Sequence, residues 1–330
     1  MRLSVCIATY RRADVIGQTL ASILPQLKDG VELLVVDGAS PDNTEAVVTA
    51  AFTGRSDCRY VRLPVKGGVD QDYCLAVEHA RGDYCWLMTD DDIVKPGAVE
   101  RVLAALQGDP DLVVVNAEVA GPDLGSVLLE RRLRIARDHD VAPGRNAELL
   151  ALAGDLLTFI GAVVIRRELW RSRNAAPYLG TEFIHVGIIF QAPLERPTRI
   201  IADPLVRIRY GLAQWSQRTF EIWMFKWPAL VWGLPVDEAA KAAVTPREPW
   251  RQVGRLVTMK AQGSYGLEDY RRWLKAQSLP AFTRLRAWLI AALPDGLFNL
   301  AMRLLVPTLP SWQQAMMRFE LERSRNKPRA

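Results

Sequence analysis

Cysteine and histidine are scarce in this chain. Its four cysteines (Cys6, Cys58, Cys74, Cys85) and three histidines among 330 residues form no CxxC and no Cys/His cluster, which speaks against a disulfide-stapled secreted fold and against a zinc ribbon. Long apolar runs are missing too. Nothing approaches the ~20 residues of a membrane-spanning helix, and candidates near the end, such as 287–305, are cut by Pro294, Asp295, Asn299 and Arg303. The first apolar run, 3–8, is too short for a signal-peptide core and gives way to Arg11 and Arg12, so a cytoplasmic chain is expected. With 49% hydrophobic and 24% charged residues, the composition excludes a disordered tail, a collagen and a coiled coil. There is no internal repeat and no low-complexity segment. Neither GxGxxG nor GxxxxGK(S/T) occurs, so nicotinamide and P-loop chemistry find no support.

What is present divides the chain. Its length suits about two domains, or one of about 200 residues with a substantial extension. The net charge of +5 is uneven: residues 1–210 carry 24 Lys and Arg against 28 Asp and Glu, the remainder 18 against 9. Six of the ten tryptophans (Trp215, Trp223, Trp227, Trp232, Trp250, Trp273) fall between 215 and 273. These shifts place a first domain at 1–216 and a basic, Trp-rich extension at 217–330.

In the first 120 residues, short apolar runs alternate with amphipathic stretches. Segments 3–8 and 33–36 read as strands buried on both faces. Asp14 is placed to cap a helix in which Val15, Thr19, Leu20, Ile23 and Leu24 recur at helical spacing. Further elements follow in order: a helix at 45–52, a strand at 60–63, a helix at 70–80, a strand at 84–88, a helix at 96–106 and a strand at 112–115. This alternation implies βαβ units and a mostly parallel sheet. Strand-like runs return at 159–165 and 200–210, and beyond 216 the pattern is helical and broken by prolines.

Parallel sheets of this kind bind ligands outside the carboxyl ends of their strands. Three polar loops stand there: Thr9-Tyr10-Arg11, Asp37-Gly38-Ala39-Ser40 and Thr89-Asp90-Asp91-Asp92. Adjacent carboxylates repel unless a cation neutralises them, and Mg2+ or Mn2+ commonly bridges a carboxylate to substrate phosphates. A solvated acidic turn with Asp92 capping a helix is the structural alternative for the triplet. Asp37 could hydrogen-bond a ribose hydroxyl or a base edge, with Ser40 or Asp42 as a helix cap.

The segments Ser4-Val-Cys-Ile-Ala-Thr-Tyr-Arg11, Glu32-Leu-Leu-Val-Val-Asp-Gly-Ala-Ser-Pro-Asp42 and Gly82-Asp-Tyr-Cys-Trp-Leu-Met-Thr-Asp-Asp-Asp-Ile-Val-Lys-Pro96 resemble family 2 of the inverting glycosyltransferases, which have the GT-A fold. Gly67-Gly-Val-Asp-Gln-Asp-Tyr73 and Gly180-Thr-Glu-Phe-Ile-His185 look most like the abequosyltransferase-like branch, which builds bacterial O-antigen. The resemblance covers residues 1–216. It implies an α/β GT-A domain in which Thr9, Tyr10, Arg11 and Asp37 hold the base and ribose of a nucleoside-diphosphate sugar, with Asp70 beside them. Asp91 and Asp92, with Asp90, would form the Asp-x-Asp site for Mg2+ or Mn2+. The commoner pattern is Asp-x-Asp-Asp, and Thr89 departs from it at the first position.

The resemblance further implies that Glu182 is the general base deprotonating the acceptor hydroxyl; a helix-N-terminal glutamate is its structural alternative. His185, three residues on, would share a helix face with Glu182 and touch acceptor or diphosphate. Arg209 could offset charge on the departing nucleotide, and Trp215 follows in the same segment. The extension offers Tyr270-Arg-Arg-Trp273 and Arg284-Leu-Arg-Ala-Trp-Leu289, basic amphipathic stretches suited to an anionic membrane surface or to packing on the domain or a second copy. Nucleic acid is not expected, since no recognised module is present and the loops are acidic. The expected protein is a metal-dependent hexosyl- or deoxyhexosyltransferase, peripheral at the inner face of the bacterial cytoplasmic membrane. Its acceptor would be a polyprenyl-diphosphate-linked glycan. The rival is a non-catalytic, membrane-associated nucleotide-sugar-binding protein with a degenerate site.

Overall fold

The computed structural model describes residues 1–212 and 218–325. They form two compact units, Met1–Gly211 with Gly233–Val244, and Leu212–Trp232 with the chain from Thr245 onward. The boundary expected at 216 lies outside the described residues, and Gly233–Val244 belongs to the first unit rather than to the extension.

In the first unit, β1 (Leu3–Thr9), β2 (Val31–Asp37), β3 (Cys58–Arg62) and β4 (Tyr84–Met88) lie in the order β3-β2-β1-β4, all parallel. β2 and β4 are buried at every position and β1 at all but one, so their sequences read as near-continuous apolar runs without alternation. The crossovers are α1 (Ile16–Ile23), α2 (Thr44–Ala51) and α3 (Val69–His79). Asp14 does not cap α1. It is exposed, and the Arg12 carbonyl accepts the N–H groups of Val15 and Ile16 instead.

A polar pin ties these strands together near their amino ends. Ser4 Oγ donates to Glu32 Oε1 at 2.6 Å and accepts the Gly82 N–H at 2.8 Å, while the Arg81 N–H reaches the same glutamate oxygen at 2.6 Å. Arg59 pairs with Glu32 at 3.3 Å, so the buried carboxylate is fully partnered, as burial of a charge requires. A Cβ on Gly82 would stand 2.6 Å from the Ser4 backbone nitrogen; only glycine allows this approach.

Beyond β4 the sheet becomes mixed. The elements are β5 (Ile93–Val94), α4 (Ala98–Ala105), β6 (Leu112–Ala120), β7 (Val127–Leu129), β8 (His139–Val141), α5 (Asn146–Ala153), β9 (Val163–Arg166), α6 (Arg167–Ser172), α7 (Ile184–Phe190) and β10 (Thr198–Arg209). β9 inserts antiparallel between β4 and β6, and β10 runs parallel to β6. The β6–β10 register slips between Ile201 and Val206, where Pro204 has no N–H to offer the ladder. Before the slip β10 pairs with β8, after it with β5. The strand expected at 159–165 begins only at Val163. The Phe159 ring sits 2.2 Å from where a Gly161 Cβ would be, and the Gly161 carbonyl accepts the Trp86 indole N–H at 2.9 Å, which holds 160–162 in a tight 3-10 turn.

The second unit is helical. α8 (Thr219–Glu221) runs through a π-helical turn into α9 (Trp227–Gly233); α10 (Glu238–Val244) is itself part of the first unit and packs there on α5. Then come α11 (Val253–Ala261), α12 (Leu267–Asp269), α13 (Ala281–Ala292), α14 (Asp295–Leu305) and α15 (Ser311–Arg325). The core centres on Phe220, Trp250, Leu256, Tyr265 and Leu274, with Trp223 and Trp273 packed against it. Phe220 stacks on Tyr265 at 4.7 Å and Phe225 on Trp273 at 5.2 Å. Of the two alternatives for Tyr270 and Trp273, a membrane surface or packing, the structure shows packing: Tyr270 is buried in this core and Trp273 lies partly buried against it.

Candidate functional site

The carboxyl ends of β1, β2 and β4 bring the three polar loops together. After β1, Arg11 adopts a left-handed φ of 57°, and its N–H donates to Ser40 Oγ at 2.9 Å while the Arg12 N–H donates to Thr44 Oγ1 at 3.0 Å. The buried Thr9 offers its carbonyl to the Gly38 N–H at 2.9 Å. The β1 and β2 loops are thereby stitched to one another. Asp37 carries out much of this work. Its Oδ1 accepts the Ser40 N–H at 2.8 Å, its Oδ2 accepts the Tyr60 hydroxyl at 2.6 Å, and Arg62 lies 3.6 Å away. The residue has no exposed surface, and both of its carboxylate oxygens are engaged in shaping the loop. Tyr10 is partly exposed and Arg11 exposed; the Lys66 ammonium stands 3.6 Å over the Tyr10 ring.

The Asp triplet leaves β4 beside this pair of loops. One guanidinium spans two of its members: Arg12 Nε lies 3.2 Å from Asp90 Oδ1, and Nη2 lies 3.4 Å from Asp91 Oδ2. Asp92 is differently employed. The Thr89 hydroxyl donates to its Oδ2, and the Arg209 backbone N–H donates to its Oδ1 at 2.7 Å. The helix-capping alternative for Asp92 does not occur, because β5 follows it. Arg209 is 8% exposed, and its side chain donates to the carbonyls of Asp91 and Pro122 and to Gln18. These bonds tie Arg209 to the triplet.

The electrostatics of the triplet ask for more positive charge than the chain supplies. Burial, then the neighbouring Asp91 charge, pushes the Asp90 carboxyl up to about 7 against the opposing Arg12. Burial raises Asp91 despite Arg12 and Arg209, and burial with the neighbouring Asp91 charge holds Asp92 well above the usual carboxylate range. Three carboxylates against the guanidiniums of Arg12 and Arg209 are under-neutralised, which is the environment a hard divalent cation relieves. The donor set limits the fit. Among the described residues no group of three His, Cys, Asp or Glu side chains is arranged to hold a metal. With both oxygens of Asp92 already bonded, Asp90 and Asp91 are the pair that fits a cation completed by ligand oxygens.

Glu182 stands on a second cluster. It is not part of α7, which begins at Ile184, and its φ of 72° is left-handed. Asp70 imposes that turn: its Oδ2 accepts the Glu182 N–H at 2.9 Å and its Oδ1 accepts the Ile184 N–H at 3.1 Å. Asp70 is 4% exposed, and both of its carboxylate oxygens hold the Glu182 turn. Burial raises its pKa against these N–H donors. One turn later on α3, the buried Tyr73 donates to the Met88 carbonyl at 2.9 Å, and the charges of Asp90, Asp91 and Asp92 act on it. The first turn of α3 therefore links the Glu182 loop to the triplet.

His185 does not join the site. It is 1% exposed, Nε2 bonds the Leu157 carbonyl at 2.7 Å, and burial lowers its pKa to about 4. Because Glu182 precedes the helix in a left-handed turn, the two share no helix face. Trp215 lies outside the described residues. Sequence reading missed Arg12, whose neighbour Arg11 it chose instead, and Asp72. The latter is buried beside Gly38 and accepts the Gly67 N–H at 3.3 Å. Adjacent arginines carry no signal of which one turns inward.

Comparison with known proteins bears on this geometry. The model of glycosyl transferase family 2 matches residues 4–162, the stretch that carries all three polar loops. Abequosyltransferase RfbV of Salmonella typhimurium is 26% identical over 208 residues, 58% of this chain and 62% of that protein. The uncharacterized protein MT1568 of Mycobacterium tuberculosis is 30% identical over 178 residues, 51% of this chain and 54% of its own. The chain thus spans less than two thirds of these relatives. Two solved structures are similar in fold. Residues 1–349 of S. aureus TarS in complex with UDP align with a TM-score of 0.61 at 16% identity, covering 98% of this chain and 91% of that one. The mannosyltransferase PcManGT from Pyrobaculum calidifontis, in complex with GDP-Man and Mn2+, aligns at 0.53 and 17% identity, covering 98% and 86%.

Proposed function

The chain belongs to the family 2 glycosyltransferases and has the GT-A fold, and on that premise we propose that it is an inverting, metal-dependent hexosyl- or deoxyhexosyltransferase of surface-glycan assembly. Family membership makes it a sugar-transfer enzyme with a nucleotide-sugar donor and a glycan acceptor. The finer reading adds a polyprenyl-diphosphate-linked acceptor, worked on at the inner face of the bacterial cytoplasmic membrane. The abequosyltransferase relative supports the O-antigen-like assignment. The observation that carries the site is the Asp90–Asp91 pair bridged by Arg12 at the carboxyl end of β4.

The chain's residues divide the chemistry as follows. The stitched β1 and β2 loops, with Tyr10 at their surface, seat the nucleoside. Arg12 holds Asp90 and Asp91 in place for Mg2+ or Mn2+, which, when bound, neutralises the donor diphosphate. Glu182 takes the proton of the acceptor hydroxyl as that oxygen attacks the anomeric carbon. The bond from that carbon to the diphosphate breaks, and the nucleoside diphosphate leaves with the electron pair. UDP in the TarS complex and GDP-Man with Mn2+ in PcManGT support a nucleoside-diphosphate ligand.

The test is a thermal-shift titration with UDP, GDP, CDP and dTDP, each with and without Mn2+, on the native chain and on Asp91→Asn. A ligand specific to the folded state raises its melting temperature. One diphosphate should stabilise the native protein only with metal, and Asp91→Asn should abolish that response. Stabilisation independent of Mn2+ and unchanged in the variant overturns the metal assignment.

A further inference from the structure

The outer faces of α13 and α14 form an apolar surface that the second unit's own core does not use. Among the described residues, ten of the sixteen exposed large hydrophobic side chains fall between 282 and 312, a clustering that scattered surface leucines do not produce. On α13, Phe282, Leu285 and Leu289 follow at i, i+3 and i+7, with the exposed Leu293 just past its end; on α14, Leu297, Leu300 and Leu304 repeat the spacing. Each set is one stripe of a helix. Leu304 is 73% exposed and Phe282 68%. The opposite faces are occupied: Ala287, Ile290 and Ala291 of α13 lie in the core, Phe298 packs against it, and both helices pack on α11.

Charge identifies what covers the stripes. Residues 270–325 carry nine Lys and Arg against three Asp and Glu. Arg284 and Arg286 flank the α13 stripe, the Arg286 guanidinium standing 5.2 Å over the Phe282 ring, and Arg303 lies on α14. A second copy would bring the same positive excess against itself, which costs binding free energy. An anionic bilayer offers opposite charge to the arginines and hydrocarbon to the leucines. The lengths decide between lying on the bilayer and crossing it. At 12 and 11 residues, each helix is about 17 Å long, short of the ~30 Å hydrocarbon core. Only taken together do the two have the length and composition of a span, and they are bent by 96° to one another; no single described helix is long and apolar enough to cross.

We propose that the α13–α14 corner docks on an anionic lipid surface, with its leucine stripes at the acyl boundary and Arg284, Arg286 and Arg303 among the headgroups. The experiment is co-flotation of the full chain with phosphatidylcholine vesicles, with and without phosphatidylglycerol, at low and high salt. The native chain floats with the phosphatidylglycerol vesicles and is released by salt. Leu297→Ser, Leu300→Ser and Leu304→Ser combined lower the bound fraction by roughly tenfold or more with an unchanged melting temperature, since all three side chains are exposed. Arg284→Gln with Arg286→Gln removes the preference for phosphatidylglycerol, and keeps the test valid if the leucine variant fails to fold. Native protein that ignores both vesicles, or a well-folded serine variant that floats as native does, overturns the proposal. So does a dimer in sedimentation velocity that the serine substitutions dissociate, because the face then belongs to a second copy. Flotation requires neither donor nor metal, so its outcome is independent of the nucleotide titration.

Discussion

At the scale of single residues, the site is built by carboxylates that act on backbone as much as on ligand. Asp70 differs from Glu182 in kind: its carboxylate holds the left-handed turn on which Glu182 stands. Glu182→Gln should remove proton transfer and lower kcat by about two to four orders of magnitude while donor binding is kept. Asp70→Asn leaves an amide that can accept but one of the two N–H bonds properly and loses the charge that strengthens both. Steady-state kinetics should show kcat falling by about 10- to 100-fold with the donor KM nearly constant, as misplacement of a reacting group does. A purely structural Asp70 would lower the melting temperature and leave kcat alone. Thr89 reads differently in three dimensions than in sequence. Its hydroxyl bonds Asp92, so the departure from Asp-x-Asp-Asp puts a neutral donor beside an already crowded triplet, which relieves repulsion instead of signalling decay.

At the scale of elements, α7 and the β1–β4 pair each carry a sharp test. His185 is buried neutral at the start of α7 with a folded pKa of about 4, below its ordinary 6.5. Between those values the unfolded chain binds the extra proton, so the stabilisation is complete above pH 6.5 and is lost as pH falls toward 4. The shift corresponds to about 3 kcal/mol at most. Urea denaturation near neutral pH and at about pH 4.5 should show this loss, and His185→Gln should flatten the difference by most of that amount. Gly82→Ala places a Cβ 2.6 Å from the Ser4 backbone nitrogen, with no flexible side chain to yield. Calorimetry should record a destabilisation of about 1–3 kcal/mol, and an unchanged melting temperature would mean the β1–β4 approach is adjustable.

At the scale of the whole molecule, two units with separate cores imply more than one unfolding event. Leu274 has no exposed surface in the aromatic core of the helical unit. Leu274→Ala should cost about 2–5 kcal/mol and move only one of two calorimetric transitions, leaving the other, which nucleotide and Mn2+ should raise, in place. A single transition displaced as a unit would show that the two cores unfold together.

Much of the fold was legible in the residues. Continuous apolar runs at 3–8, 33–36 and 84–88 can be satisfied only by burial on both faces, and burial on both faces requires crossover helices; the parallel sheet and its polar carboxyl-end loops follow from that. The triplet, Asp37 and Glu182 were likewise visible because they are charged residues at strand or helix ends. What each does was decided in three dimensions. Asp37, Asp70, Asp92 and Arg209 find their hydrogen-bond partners in loops, strands and a helix distant in sequence, from 23 to 191 residues away for their longest bonds, and no local spacing encodes such pairings. The same holds for the aromatic extension. Its amphipathic pattern announced an apolar face at every helix, but Trp250 and Trp273 went into the core while Phe282 and Leu304 were left outside. Periodicity says that a helix has an apolar side; only packing determines whether the neighbour on that side is the protein or something else.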